Sequence, residues 1–210
     1  SFIKRAGTVI LLSTIVLWFL QGFGFENGAF GMVEDNNNSI LANIGNAIAW
    51  IFAPLGFGNW QATVATITGL IAKENVVSTF AVLFGLSADL GESDPTLQAA
   101  IASHFTALSA YSFMIFNLLC APCFAAMGAI KREMNNPKWA LGAIGYMCGF
   151  AYVSSLIVYQ LVGLALGMVT FGAGTVAAVI LLAALVWLLV RKNKYADQGA
   201  GLRAVAAAAK

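Results

Sequence analysis

The chain has 210 residues, of which 60% are apolar and only 10% are charged, with 11 Lys or Arg against 9 Asp or Glu. In a typical soluble domain roughly a quarter of the residues are charged, so this composition excludes an ordinary soluble protein. The formal net charge of +2 is too small to favour binding to nucleic acid. The composition therefore predicts an integral membrane protein whose partners do not include nucleic acid.

The amino end and the cysteines give further expectations. The basic start, Lys4-Arg5, precedes an apolar run of about 20 residues without a small-residue cleavage site, so we do not expect a signal peptide. The chain does not begin with Met, and we expect it to be part of a longer protein. Its three cysteines are an odd number within apolar runs, which argues against the disulfide framework of a secreted protein.

A helix needs about 20 apolar residues to cross the hydrocarbon core of a bilayer. On that basis the sequence predicts apolar segments, in chain order, at 6–25, 40–57, 60–86, 105–130, 139–167 and 169–190. Acidic loops, 26–39 and 88–103, separate some of them. The predicted fold is all-α: a polytopic transmembrane permease domain over 1–194 with a broken or re-entrant helical segment. We expect the cytoplasmic tail, 195–210, to be disordered.

The distribution of charge predicts the topology. Clusters of Lys and Arg favour the cytoplasmic side of a membrane, which places 131–138 and 191–210 in the cytoplasm and the regions 26–39 and 87–104 outside. The chain between the outer loops must then leave the outer side and return to it, by one of two routes. Either 40–57 crosses inward and 60–86 outward, or 40–57 lies in the interface and 60–72 with 75–86 forms a re-entrant hairpin. Each half of such a hairpin is about 18–20 Å long, too short to cross, and the Asn, Pro and Gly residues of 40–58 slightly favour this second route.

Lys73 and Glu74 lie in the middle of the apolar segment 60–86. Ionisable side chains at membrane depth are costly, so they indicate a functional site by default. A neutralising pair at a hairpin tip would be a purely structural explanation, but adjacent residues do not share a helix face. We therefore expect each side chain to meet a different partner. Glu74 is a candidate metal ligand, and Lys73 is a candidate transport-path or gating residue.

The sequence Cys120-Ala-Pro-Cys123 interrupts the segment 105–130. Pro122 has no backbone N–H and would leave the carbonyl of Leu118 free, and non-helical backbone at this depth must be buried in protein or line a cavity. Two thiols three residues apart would share a face if the helix survived, and could then bind a transition metal. Buried Cys more often packs as a small apolar residue. The candidate metal ligands here are Cys123 and Cys120, with Pro122 as a gating element.

Other distinctive residues are expected to pack rather than to bind. Cys148 is predicted to be a packing residue, and Gly142, Gly145 and Gly149 predict a close contact between helices. The single His, His104, lies in an outer loop, so we do not expect a closed zinc site with four ligands. The sequence has no P-loop, dinucleotide fingerprint or catalytic triad. We expect neither enzymatic activity nor a tightly bound cofactor in this chain.

Several stretches together resemble the FeoB family of bacterial ferrous iron transport proteins. The resemblance rests on 2–10, 52–60, 69–79, 108–114, 121–126, 129–133 and 138–140, whose order and spacing are also similar to the family's. It covers about residues 2–165. It implies the carboxyl-terminal part of the membrane domain, including the second Gate (nucleoside-recognition-like) repeat.

The resemblance also implies a function and partners. It implies import of Fe²⁺ through the bacterial cytoplasmic (inner) membrane, coupled to an amino-terminal G-protein domain that binds GTP and Mg²⁺. That domain and the first Gate repeat lie outside this chain, and a FeoA-type small protein and further copies of the chain are possible partners. The family's Gate cysteine corresponds to Cys123, and its Ala-Lys-Glu motif to Ala72, Lys73 and Glu74. Ala126 stands where the family usually has Thr, which places a hydroxyl role there in doubt.

The expected mechanism is transient coordination, in which Glu74 replaces hydration water of Fe²⁺ and Cys123 supplies softer ligation beyond a gate. Two other functions remain open. One is a Gate-domain transporter for another small solute, such as a nucleoside. The other is a membrane assembly module that transports nothing, in which the ionisable residues would tolerate apolar replacement.

Overall fold

A computed structural model of the chain describes residues 8, 11–12, 15–16, 18–26, 29–32, 36–71, 73, 75–86 and 93–191. This part of the chain is almost entirely helical, which confirms the predicted all-α class. The described residues between 8 and 22 are helical and most of their side chains are exposed. The expected tail, 195–210, lies outside the described residues.

A short antiparallel ribbon follows the first helical segment. Strand β1, Phe23–Glu26, pairs with β2, Ala29–Met32, with Phe23 opposite Met32 and Glu26 opposite Ala29. The prediction that the first apolar segment runs to residue 25 is therefore wrong at its end. Phe23 and Phe25 alternate with glycine and belong to a strand, and the sequence between the strands is Asn27-Gly28, a pair strongly favoured in hairpins.

The apolar stretch 40–57 forms a short helix and a turn. Helix α1, Ile40–Ala49, begins where Ser39 Oγ accepts a hydrogen bond from the backbone N–H of Ala42, at 3.0 Å. Its 10 residues extend about 15 Å, half of the hydrocarbon thickness. A 3-10 turn, Ala53–Leu55, follows and ends at Gly56, whose φ of 87° lies in the left-handed region. This stretch does not cross a membrane as one helix.

The apolar stretch 60–86 folds back on itself. It forms helix α2, Trp60–Ile71, and helix α3, Asn75–Leu83. A hydrogen bond connects the two helices, donated by Thr79 Oγ1 to Thr68 Oγ1 at 3.1 Å. Along a continuous helix, residues this far apart in sequence would be separated by about 16 Å. The two helices therefore form an antiparallel hairpin with Lys73 at its tip, as the second predicted route requires. The interfacial position of 40–57 in that route stays a prediction.

A helix was missed in the predicted outer loop 88–103. Helix α4, Pro95–His104, begins at Asp94, whose carboxylate accepts from the backbone N–H of Thr96 at 2.8 Å, and Pro95 occupies its first turn. These are the ordinary signals of a helix start, so treating the acidic stretch as loop was wrong. Helix α5, Ala107–Leu119, follows after a bend of 98°.

The remaining helices are α6, Phe124–Glu133, α7, Pro137–Ala165, and α8, Ala173–Val190. Within the described part of the chain, α7 and α8 are long and apolar enough to span a membrane, and α4 with α5 would make a third span if the bent pair counts as one. Thr175 Oγ1 donates to Gln160 Oε1 at 3.2 Å, which joins the start of α8 to the end of α7. The two helices are therefore antiparallel, and the chain is a multi-pass membrane protein.

Helices α5 and α7 pack against each other at two small polar residues. Ser155 Oγ donates to the carbonyl of Ser112 at 2.9 Å, and the two hydroxyls lie 2.7 Å apart, both fully buried. Small side chains allow membrane helices to approach closely. The expected contact at Gly142, Gly145 and Gly149 is absent from the described residues, because a Cβ at each of these positions would meet nothing within 4 Å.

An aromatic cluster fills the space between the hairpin, α5 and the turn after α1. Its rings meet mainly edge to face, with centroids 5.3 Å apart for Phe57 and Phe113 and 5.6 Å apart for Phe80 and Phe105. Such arrangements add to the stabilisation from burial. The cluster joins the hairpin to α5, and the carboxyl end of α5 is the position of the interruption predicted at Pro122.

Candidate functional site

The predicted interruption of the segment 105–130 lies between α5 and α6. The helical hydrogen bonds of α5 end where the Cys120 N–H donates to the carbonyl of Phe116 at 2.8 Å, and Cys120 itself has extended backbone, with φ −60° and ψ 164°. The chain becomes helical again at Phe124. Cys120 and Ala121 are buried in the core, so this non-helical backbone lies inside protein, as membrane depth requires.

Lys73 reaches from the hairpin tip to this interruption. Its Nζ donates to the carbonyl of Asn117 at 2.8 Å, to that of Leu118 at 3.3 Å and to that of Cys120 at 3.4 Å. The carbonyl of Leu118 is the one that Pro122 was predicted to free. A positive charge at the carboxyl end of a helix is favourable, because the unpaired carbonyls there carry partial negative charge. Lys73 and the interruption at Cys120, which were predicted separately from the sequence, are therefore in contact.

The cysteines pair differently from the expectation. Cys120 Sγ lies 3.6 Å from Sγ of Cys148, which is half-buried on α7. Cys120 and Cys123 would have shared a face only in a continuous helix, and the interruption places one at the end of α5 and the other at the start of α6. Cys148 packs against the core, as predicted, and its contact with Cys120 was not predicted. The sequence signal was weak, since the two lie 28 residues apart.

Cys123 is the N-cap residue of α6. Its side chain is half-buried and makes no capping hydrogen bond, while its carbonyl accepts from the N–H of Met127 at 2.9 Å. Cys123 is thus held beside the interruption, at the start of α6.

Glu74 and Ala72 lie outside the described residues. Lys73 between them is exposed. Among the residues that the structure describes, no group of three or more His, Cys, Asp or Glu side chains is placed to hold a metal ion. The atoms around Cys120 that could bind a metal ion are instead two thiol sulfurs and three backbone carbonyl oxygens.

A second interruption, in the turn after α1, is satisfied by neutral side chains. Tyr152 Oη donates to the carbonyl of Ile51 at 2.8 Å, and Gln160 Nε2 donates to that of Pro54 at 2.7 Å. Ser112 Oγ reaches the carbonyl of Leu55, also at 2.8 Å. In both interruptions, side chains therefore donate hydrogen bonds to the carbonyls that the helix leaves free. Of the two, the interruption at the end of α5 is the one where the donor is charged.

Comparison with known proteins places the chain in a family. Residues 3–137 match the Gate family, described as nucleoside recognition. The Fe(2+) transporter FeoB of Staphylococcus aureus is 38% identical over 160 residues, which are 76% of this chain and 23% of the relative. FeoB of Methanocaldococcus jannaschii is 38% identical over 163 residues, which cover 75% of this chain and 23% of that protein.

A third relative is named as a fusion of two proteins. The Fe(2+) transport protein A/Fe(2+) transporter FeoB fusion protein of Porphyromonas gingivalis is 29% identical over 200 residues, covering 77% of this chain and 24% of the relative. The chain thus spans about a quarter of the length of these curated relatives. No solved structure matches it significantly. Since the match to residues 3–137 covers well over half of it, the chain belongs to the Gate (nucleoside recognition) family, with similarity to a membrane segment of FeoB.

Proposed function

We propose that this chain is part of a permease that carries Fe²⁺ across the bacterial cytoplasmic membrane into the cell. The proposal is supported by the relatives, which are named as Fe(2+) transporters. The permease unit comprises residues 1–194, and 195–210 form a cytoplasmic tail. The chain itself catalyses no reaction and holds no cofactor tightly, and Fe²⁺ is its substrate.

The single observation that carries the mechanism is the interruption between α5 and α6, where thiols and free carbonyls meet the charged hairpin tip. Fe²⁺ accepts oxygen and nitrogen ligands as well as thiolate, so mixed donors suit it. Glu74 replaces part of the hydration shell of the arriving ion, and Cys123 binds it next, with Cys120 beside it. Lys73 and Pro122 control whether the interruption is open. Affinity at each step is modest, because an ion that binds too tightly is not released.

The energy and some partners come from outside this chain. A G-protein domain binds GTP with Mg²⁺ and drives the conformational change, and a first Gate repeat completes the permease. A FeoA-type small protein is a partner, in keeping with the relative that carries both names in one chain. The permease also associates with further copies of itself.

The test is uptake of radioactive Fe²⁺ into liposomes that contain the intact protein, under reducing conditions. We expect Fe²⁺ to accumulate, and we expect Glu74→Gln to lose most of this uptake while it still inserts, because a carboxylate in an apolar run is costly without a role. Gln98→Glu, which adds a carboxylate at an exposed position of α4, is the control for altered charge. Uptake of a nucleoside but not of Fe²⁺ would establish the rival transport function. Uptake of neither, with normal assembly, would favour the assembly module.

A further inference from the structure

The carboxyl end of α5 is closed by a charged group from a distant part of the chain. Helices commonly end with carbonyls bound by water or by a glycine turn. Here the three free carbonyls of Asn117, Leu118 and Cys120 point to one nitrogen, which belongs to a residue 44 to 47 positions earlier in the sequence. Three oxygens at 2.8 to 3.4 Å from one positive centre form a coordination shell.

The contrast with the turn after α1 shows that neutral donors are sufficient for this kind of interruption. There, Tyr152, Gln160 and Ser112 satisfy three carbonyls without any charge. At the end of α5 the corresponding carbonyls are bound by a positive charge instead. Backbone carbonyls that replace the hydration shell of a cation are also the means by which ion channels bind their ions.

We propose that the carbonyls of Asn117, Leu118 and Cys120 form a binding station for a divalent metal cation, and that the ammonium group of Lys73 is its occupant at rest. Carbonyl oxygens are ligands for hard and borderline divalent ions. The role of the station in uptake rests on the proposed function. A metal ion binds there only after Lys73 withdraws, because two positive charges do not share one set of oxygens.

The geometry allows both states. Lys73 is exposed and lies between two helices rather than within one, and its ammonium group is carried on a flexible stem of four carbons. When it leaves, the three carbonyls face the space that it occupied. Cys120 contributes one of these carbonyls, and its Sγ contacts that of Cys148. An ion released from the oxygens thus finds one sulfur ligand on Cys120 and a second on Cys148.

The first experiment removes the resident charge. Purified intact protein, wild type or Lys73→Met, is freed of metal and titrated with Mn²⁺, whose free concentration is followed by electron paramagnetic resonance. We expect Lys73→Met to bind Mn²⁺ at this station with an apparent affinity several-fold higher than wild type, because the ion no longer competes with the ammonium group. Lys131→Met, which removes an exposed lysine from the last turn of α6, should bind Mn²⁺ with wild-type affinity. A correctly folded Lys73→Met protein without this gain in affinity would overturn the proposal.

The second experiment uses the wild-type protein and does not depend on how the variant folds. Acetic anhydride modifies free amines, and mass spectrometry measures the modification of each lysine. If Mn²⁺ displaces the ammonium group, acetylation of Lys73 should rise several-fold as Mn²⁺ is added, while that of Lys131 stays constant. Unchanged acetylation of Lys73 would overturn the displacement. If the protein takes up Fe²⁺ but both experiments are negative, the proposed function stands and the station does not. If both experiments are positive but the protein takes up no Fe²⁺, the station stands and the proposed function does not.

Discussion

The ammonium group of Lys73 binds the free carbonyls at the end of α5, a task that glycine turns perform at many other helix ends. Because Pro122 cannot donate a hydrogen bond, the carbonyl of Leu118 would be unpaired in an apolar region, at a cost of roughly 1–3 kcal/mol. The hydrogen bonds from Lys73 Nζ remove that cost. At the scale of single residues, the carbonyls at the end of α5 thus need hydrogen-bond donors, and the positive charge of Lys73 supplies them.

Cys123 is the residue for which packing and ligation predict different outcomes. Cys123→Ser keeps the size of the side chain and Cys123→Ala leaves only a small void, but both remove the sulfur atom. If the sulfur binds Fe²⁺, both variants should lose roughly tenfold or more of Fe²⁺ uptake, and the preference for Fe²⁺ over Mg²⁺ should narrow. Uptake by the reconstituted protein is the measurement, with Ser154→Ala, a half-buried position on α7, as the control. Full and selective transport by Cys123→Ala would show that the thiol only packs.

The contact between Cys120 and Cys148 predicts a specific cross-link. With the two sulfur atoms 3.6 Å apart, mild treatment with diamide, which takes up the two thiol hydrogens, should join them in a disulfide. Cys123 should stay reduced, because it lies beyond Pro122 at the start of another helix. Peptide mass spectrometry without reduction identifies the pair, and Cys148→Ser should abolish it. A disulfide between Cys120 and Cys123 as the main product would contradict the arrangement described.

At the scale of elements, the local chemistry of the sequence predicted some features and concealed others. The carbonyl freed by Pro122 and the long apolar helices α7 and α8 followed from single residues and from length. The contact of Lys73 with that carbonyl could not be predicted, because no local sequence pattern connects Lys73 with the end of α5. The ribbon at 23–32 had its signal in Asn27-Gly28, which was hidden beside an apolar run that suggested a helix.

Two glycines allow the packing of elements to be tested with a matched pair. A Cβ at Gly56 would lie 2.0 Å from Cε2 of Tyr159, and its φ of 87° disfavours other residues. Gly56→Ala should therefore destabilise the protein by about 2 kcal/mol or more. Gly142, inside α7, has open space around it, so Gly142→Ala should be neutral or stabilise by up to about 1 kcal/mol. Unfolding of both variants in detergent measures the difference.

The outcome at Gly142 also bears on the contact predicted from the sequence. A loss of stability in Gly142→Ala would mean that another helix packs on the face formed by Gly142, Gly145 and Gly149 in the intact protein. Equal stability of Gly56→Ala and wild type would contradict the close approach of Tyr159 to the turn after α1.

At the scale of the whole molecule, most of the surface of α7 and α8 is exposed and apolar, as expected of helices that face lipid or other membrane helices. Their antiparallel packing directs the amino end of α7, which carries Lys138, and the carboxyl end of α8, which precedes Arg191, to the same side of the pair. Arg191 lies over the ring of Trp187, 5.3 Å from its centroid, and both residue types are typical of a membrane interface.

The orientation remains a prediction, with 26–39 and 87–104 outside and 131–138 and 191–210 in the cytoplasm, because Lys and Arg concentrate on the cytoplasmic side. Single cysteines at Asn38 and at Met134, both exposed, replace neutral residues and leave the charges unchanged, in a protein whose three native cysteines are replaced by Ala. A membrane-impermeant maleimide added to intact cells should label Asn38→Cys. It should label Met134→Cys only after the membrane is opened. Labelling of Met134→Cys in intact cells would show that the orientation is the reverse of the predicted one. The proposed order of contacts, in which an ion from outside meets Glu74 before Cys123, would then be reversed as well.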